Sequence, residues 1–508
     1  MKIKKTLLGA IALSLGVMLF ACNPKKVDYN EPDPDPNPSQ TAFLSFKMAV
    51  QPVTRAIADP NASANEVSVS SAYLLLFDKT AGKTLQYKKQ LAVSNQGGTG
   101  SFSGAGISTS NTSSEEAFVA KALQVKKTDY SMVVLLNPSA SLLSYYTSQE
   151  EVEVAGSGTA TTFDEFNASR SFSVLTSIAT NVSGNDYKDI LMSNSKGVVD
   201  IPQSSLKGSA SEAEQQVSLP VVNVSRAMAK IKVVKDDDFS ATLADGSKVE
   251  SVTWKMDITN TKMFILRNFD PLTETSSSPS DWYAIDPNMI MASKAPAVLG
   301  AHFNSINKPF DNGSAFNTAA DSPSYEYVLE NTMDIAEQTP ENIGYIGTRV
   351  MMSVQITPDG YAKGDGYYTF KVGSKKVLFN HAQAVAWKAA DDFPQDLSGV
   401  QDVIDETGLQ IDFTVGEEPP VYMSKGGLTY HKSGMNVYYI PIRHFKSESL
   451  GITDLGYYGV VRNNVYEVTV KSLKGPGEIL TDDKNVSASI RMLPWEMRCQ
   501  DAEDVEGE

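Results

Sequence analysis

The sequence predicts a mainly β, all-β chain arranged as two β-sandwich domains, with a few short helices and long loops. Three observations carry this. Short apolar runs with period-2 alternation recur along the chain, long helical heptads are absent, and Pro, Gly, Asn and Asp punctuate the runs. At 508 residues the chain is too long for one core.

The first elements are processing signals. Lys2, Lys4 and Lys5 precede an uncharged stretch from Thr6 to Ala21. Its 16 residues are short for a membrane span and suit a signal h-region. Leu19-Phe20-Ala21-Cys22 then reads as a lipoprotein box, with Cys22 the lipidated N-terminus. Residues 27–40 alternate proline with polar residues, which favours polyproline II and forbids helix, so they form an extended tether.

From Thr41 the pattern turns to β. Leu44, Phe46, Met48 and Val50 alternate with Ser45, Lys47 and Ala49, a half-buried strand that Pro52 ends. Residues 59–64 read as a loop, and Val67, Val69, Tyr73, Leu75 and Phe77 as a strand. Ser131–Leu136 reads as a buried strand stopped by Asn137-Pro138, with a short helix over 141–147. Pro220 makes Val217–Val222 at best an edge strand, and Val224–Val234 is the better candidate.

The polar run Lys235-Asp236-Asp237-Asp238 and the turn Asp245-Gly246 place a domain boundary near 240. Residues 268–325 read as an insertion or long surface loops. Further strands are expected at 251–258, 262–266, 325–329, 348–356, 367–372, 437–443, 465–471 and 486–493, and a helix at 381–390. The expected layout is a signal peptide at 1–21, a lipid-anchored propeptide at 22–55 and an N-terminal domain at 56–240. A C-terminal domain at 241–480 and a terminal strand segment at 481–508 follow.

Charge and reactive residues exclude several functions. Residues 1–55 carry 7 basic and 4 acidic residues, a net of +3. The remaining 37 basic and 56 acidic residues give −19, which repels nucleic acid and anionic lipid. With Cys22 lipidated, Cys499 has no intrachain disulfide partner. His302, His381, His431 and His444 lack metal-ligand spacing and read as structural.

Gly97–Gly106 lacks the Lys-Ser/Thr of a phosphate loop and reads as a hairpin turn. Asp236–Asp238 and the Asp-Gly pairs at Asp245, Asp359 and Asp365 lack calcium-loop spacing. Paired carboxylates meet only in space, so sequence does not reveal them. No Gly-x-Ser-x-Gly element or zinc helix is present. The expectation is a non-enzyme with no catalytic residues, no metal and no cofactor.

The C-terminal half carries Val437-Tyr438-Tyr439-Ile440-Pro441-Ile442-Arg443-His444-Phe445 and Gly459-Val460-Val461-Arg462-Asn463-Asn464-Val465-Tyr466. Val468–Gly475 and Met492-Leu493-Pro494-Trp495 follow, and Tyr327–Thr332 and Ser225–Ile231 belong with them. Over most of residues 219–495 these segments resemble the fimbrillins of Bacteroidales, the family that builds type V pili. The likeness is nearest to the shaft subunit of the short, or minor, fimbria. The resemblance implies transthyretin-like sandwiches and a pilin exported as a lipoprotein. It also implies a cut by an arginine-specific, trypsin-like protease, for which Arg55-Ala56 is the matching site. Lys25 and Lys26 depart from it, because an acidic surface-export signal is expected there.

On that reading, residues 23–55 leave and take the strand Leu44, Phe46, Met48 and Val50 with them. The open groove is a template for another strand. Val486, Ala488, Ile490 and Met492 form a second four-residue apolar stripe that a neighbour donates by strand addition. Their burial contributes on the order of 5–9 kcal/mol before ordering costs. Head-to-tail donation makes an open filament. Residues 481–485 would be the hinge, Pro494 the stop and Trp495 a terminal plug.

The expected partners are identical or related subunits, the precursor's lipid anchor, the protease and a receptor on a host or bacterial surface. Nucleic acid is not among them. The competing readings are an ordinary terminal strand for 486–492, an anchor, accessory or tip subunit, and a monomeric surface lipoprotein binding glycan or host protein.

Overall fold

The computed structural model describes residues 40–50, 64–67, 69–80, 82–91, 107–109, 117–172, 175–183, 186–268, 284–289, 302–304, 317–318, 324–334, 342, 344, 346–372, 375–390, 394, 423–425, 428–444, 456–473 and 486–494. The signals at Cys22, Arg55 and Ala56, the glycine cluster 97–106, Trp495 and Cys499 lie outside the described residues. The chain is mainly β, as predicted.

The first unit is built on one large sheet. Its strands lie in the order Leu85–Leu91, Ala72–Asp78, Tyr130–Leu136, Met192–Asn194, Val221–Arg226, Lys47–Val50, Ala117–Ala120 and Ile107–Thr109. Val199–Ile201 pairs with the far part of Tyr130–Leu136. The central strands are continuous apolar runs because both faces are covered. Leu74, Leu76, Met132 and Val134 enter one core, and Leu75, Phe77, Val133 and Leu135 the other.

Sequence alternation therefore misjudged 67–77. The strand is Ala72–Asp78, and Val67 ends a short 3₁₀ turn, Ala64–Val67. Asn137 turns the chain at φ 53, its side-chain oxygen accepting from the Ser70 and Ser71 N–H groups.

Three short helices follow: Ala140–Leu143, Gln149–Ala155 and Phe163–Phe166. The last two start with reciprocal capping boxes, Ser148 with Glu151 and Thr162 with Glu165. Lys88–Glu151 and Lys89–Glu150 ion pairs tie Gln149–Ala155 to the edge strand Leu85–Leu91. A helix fastened to an outer strand blunts unwanted pairing there.

The chain changes sheet at Ala227. Val221–Arg226 belongs to the first sheet, and Met228–Lys235 pairs with Ser324–Leu329 and Asn464–Leu473 in the second. The break sits inside one continuous strand-like stretch with no glycine or proline, and buried Ala227 donates to the Leu191 carbonyl, so composition did not mark it. Nor is Val221–Arg226 an edge. It lies between Met192–Asn194 and Lys47–Val50, and Pro220 stands just outside it.

The second unit sets two four-stranded sheets on one core. One orders Ser324–Leu329, Met228–Lys235, Asn464–Leu473 and Val486–Pro494; the other Asn317–Thr318, Lys248–Asp257, Arg349–Thr357 and Met435–Pro441. Ile231, Val233, Tyr466 and Val468 from the first meet Trp254, Val350, Met352 and Tyr438 from the second. A further sheet joins Lys375–Phe379, Tyr367–Val372, Leu428–His431 and Met423–Lys425. Helix His381–Ala390 packs Trp387 on Phe379 beside it. Gly434, at φ 75, turns the chain from this sheet into Met435–Pro441.

Candidate strand-exchange site

The segment expected to leave is two strands rather than one. Thr41–Leu44 pairs with Leu123–Lys126, and Lys47–Val50 joins the large sheet. Between them the chain breaks at Ser45 and Phe46. Ala42, Leu44, Ser45, Phe46 and Met48 are all buried, and Lys47 is half-buried. Strict alternation therefore fails at Ser45, which faces protein because the chain is stepping between sheets. The Ser45 hydroxyl donates to the Ala120 carbonyl at 2.8 Å, and the Ala120 N–H donates to the Phe46 carbonyl at 2.9 Å.

Lys47–Val50 is an interior strand. It runs parallel to Val221–Arg226, with Lys47 opposite Val221 and Met48 opposite Val222. On its other side it is antiparallel to Ala117–Ala120, with Lys47 opposite Val119. The Phe43 and Lys207 backbones exchange two hydrogen bonds, and Lys47 donates to Pro220. Leu44, Phe46 and Met48 share a core with Leu74, Met132, Val134, Val222 and Val224. Taking residues 41–50 out would open a slot between two strands and remove three large side chains from its floor. Such burial is worth about 1.5–3 kcal/mol per side chain.

The chain just beyond this segment is held by charge. Glu66, eleven residues past Arg55, is buried with Lys230, whose ammonium lies 2.7 Å from Glu66 Oε1. The Tyr327 hydroxyl donates to the same oxygen, and Arg226 Nε donates to the Glu66 carbonyl at 3.2 Å. Arg226 also donates from its backbone to Asn463 Oδ1. Burial, then the Glu66 charge, drives the Tyr327 hydroxyl well above its usual value. Burial pulls Arg226 down to about 10, against the Glu66 charge. Sequence reading missed this cluster; its signal is a single acid, Glu66, in a run of small and polar residues.

The proposed donor strand, Val486–Pro494, is antiparallel to Asn464–Leu473 in its own chain, with Val468 opposite Ile490 and Tyr466 opposite Met492. Among the described residues it is the outer strand of its sheet, paired with Asn464–Leu473 alone. The slot and this strand belong to different sheets of the chain.

The tyrosine-rich motifs are fold elements. Tyr466 OH accepts from the Val461 N–H and contacts His444 Nδ1 at 2.6 Å. Burial, then Arg267, pushes His444 down to about 3. Arg462 donates to Glu330 at 3.0 Å and to the Phe264 and Ile265 carbonyls. Asp286 is pushed up to about 7 by burial, with backbone N–H donors opposing and Glu330 adding to the rise.

The other histidines are also bonded within the fold: His302 to Asn288, His381 to Tyr368 and His431 to Thr369. Among the described residues no group of three or more His, Cys, Asp or Glu is placed to hold a metal, and no helix is long and apolar enough to cross a membrane. A cleft of about 350 Å³ is lined by Lys255, Asn260, Glu326 and Tyr327 among others, with Glu326 pushed up to about 7 by burial. Glu326 is the only carboxylate among its described lining residues.

Residues 429–501 match a family model described as major fimbrial subunit protein type IV, fimbrillin, C-terminal. No curated protein matches the chain. Among solved structures, it is similar to a candidate cell adhesion protein of Parabacteroides distasonis at 15% identity and TM-score 0.43, covering 89% of this chain and 97% of that one. It is also similar to the tip fimbrial protein Mfa3 of Porphyromonas gingivalis, at 10% identity and TM-score 0.36, covering 90% and 100%. A candidate cell adhesion protein of Bacteroides eggerthii gives 10% identity and TM-score 0.39, covering 90% and 96%. These superpositions are loose and carry no argument. The fimbrillin match covers the C-terminal segment, residues 429–501, which holds the strands Met435–Pro441, Asn464–Leu473 and Val486–Pro494.

Proposed function

We propose that this chain is a structural subunit of a type V fimbria on the cell surface, supporting adhesion. It is exported as an outer-membrane lipoprotein through Cys22 and cut after Arg55. It then polymerises when the C-terminal strand of one copy enters the slot of the next. The single observation that carries this reading is the interior position of Lys47–Val50 between Val221–Arg226 and Ala117–Ala120. Losing an edge strand would leave a shorter sheet. Losing this one leaves two unpaired edges facing each other over an uncovered core, and only a strand satisfies both.

The outer position of Val486–Pro494 supports its release. Leaving gives up one ladder of nine residue pairs, and taking the places of residues 41–50 offers ladders of four, four and three. The filament is head-to-tail and open because slot and donor differ. A shaft position is favoured over an anchor by the Arg55-Ala56 site, and over a tip by the donor strand.

N-terminal sequencing of the cell-surface protein, with an unboiled gel, tests this. A start at Ala56 with an SDS-resistant ladder that vanishes on deleting 486–508 is expected. A lipidated Cys22 on a lone monomer would leave an anchor or a monomeric surface lipoprotein.

A further inference from the structure

The leader segment and the C-terminal strand share a pattern beyond apolar alternation. Leu44-Ser45-Phe46-Lys47-Met48 reads apolar, serine, apolar, basic, methionine, and so does Ala488-Ser489-Ile490-Arg491-Met492. We propose that residues 488–492 of a second copy of this chain seat in the places of residues 44–48, so that Ser489 replaces Ser45. This rests on the filament reading above and fixes its register.

The structure gives each matched position a reason. When the leader departs, both backbone groups of Ala120, a buried residue, lose their partners, since Ser45 Oγ and the Phe46 carbonyl satisfy them. A buried polar group without a partner is costly, so the incoming strand needs a hydroxyl at that step. Ser489 supplies it, and the Ile490 carbonyl replaces that of Phe46. Ile490 fills the fully buried Phe46 site, and Met492 matches buried Met48. Arg491 falls where half-buried Lys47 stands, its long stem covering apolar surface and its charge reaching water.

The frame shifted by two residues also offers a serine, Ser487, at the Ser45 step. It puts Ala488 in the Phe46 site, leaving most of that space empty, and Ser489 where the basic residue stands. Frames shifted by one put charged or hydroxyl groups into the core.

Cross-linking reads the register directly. Lys47 pairs with Val221, which is 45% exposed and tolerates cysteine. In a Cys499→Ser background, the full chain carries Val221→Cys with either Arg491→Cys or Ser489→Cys and is released by arginine-specific proteolysis. A ladder covalent at least about tenfold more in the Arg491→Cys pair is expected, since paired residues lie closest across strands. A ladder covalent in the Ser489→Cys pair, or one that forms on an unboiled gel without cross-links in either, overturns the register and leaves the filament standing. No oligomer in the parent chain either, with the leader gone, defeats the filament reading and the register with it.

Discussion

The Glu66 carboxylate and the Lys230 ammonium lie 2.7 Å apart with both side chains fully enclosed. Glu66 belongs to the 3₁₀ turn Ala64–Val67, and Lys230 to the first strand of the second unit's sheet. The pair therefore fastens the chain just beyond Arg55 to that strand. A charge in such a place is tolerated only while its partner is present. Lys230→Met should cost about 3–5 kcal/mol by denaturant unfolding, because it strands the Glu66 charge. The double variant Lys230→Met with Glu66→Gln should recover part of that loss. A single variant as stable as wild type would show that the pair holds nothing.

Stability should depend on pH through two buried carboxylates. Asp286 and Glu326 bind a proton more tightly folded than unfolded, their folded values near 7 standing above ordinary values of 3.8 and 4.5. Their contribution is full below the unfolded values and is lost as pH rises through about 7. His444 acts oppositely: its folded value near 3 lies below 6.5, so its contribution is lost as pH falls from 6.5 toward 3. From pH 8 down to 6.5 these carboxylates outweigh His444, and the melting temperature should rise by about 2 °C or more. Asp286→Asn should flatten that rise while lowering absolute stability, since an amide nitrogen can then face the Thr332 N–H that Asp286 Oδ2 now accepts.

Gly434→Ala should be among the more damaging single-methyl changes. The residue sits at φ 75, and an added Cβ would run into the Ile356 carbonyl oxygen, a backbone atom. Strain and overpacking together should cost about 2–4 kcal/mol, read as a shift in the urea midpoint. A loss below about 0.5 kcal/mol would mean that Met435–Pro441 can shift freely against Arg349–Thr357.

Cutting after Arg55 in a chain lacking 486–508 should leave the slot empty. Leu44, Phe46 and Met48 then no longer cover Leu74, Met132 and Val222. A severalfold rise in fluorescence of a hydrophobic dye is expected on cutting, with little change before it. Adding a synthetic 486–495 peptide should reverse it. Dye binding unchanged by the cut would mean that the leader covers nothing.

Much of the fold was legible because local pattern reports local environment. Tyr130–Leu136 is a strand since its continuous apolar run suits a sheet covered on both faces, and His381–Ala390 is a helix as read. The sheet change at Ala227 was not legible, because strand-like pattern runs on through both flanking strands and no glycine or proline separates them. Ser45 falls on the polar side of the period-2 pattern yet is buried, since that pattern assumes one unbroken strand.

By itself the sequence determined the β class and the two apolar stripes over residues 44–50 and 486–492. Side-chain period and composition are local properties and carry that far. Tertiary structure alone decided that Lys47–Val50 is interior, that Val486–Pro494 is an outer strand and that Glu66 finds Lys230. Each of these depends on which distant segments pair. Residues 47 and 221, or 66 and 230, meet only because the whole sheet order brings them together, and no window of sequence contains both.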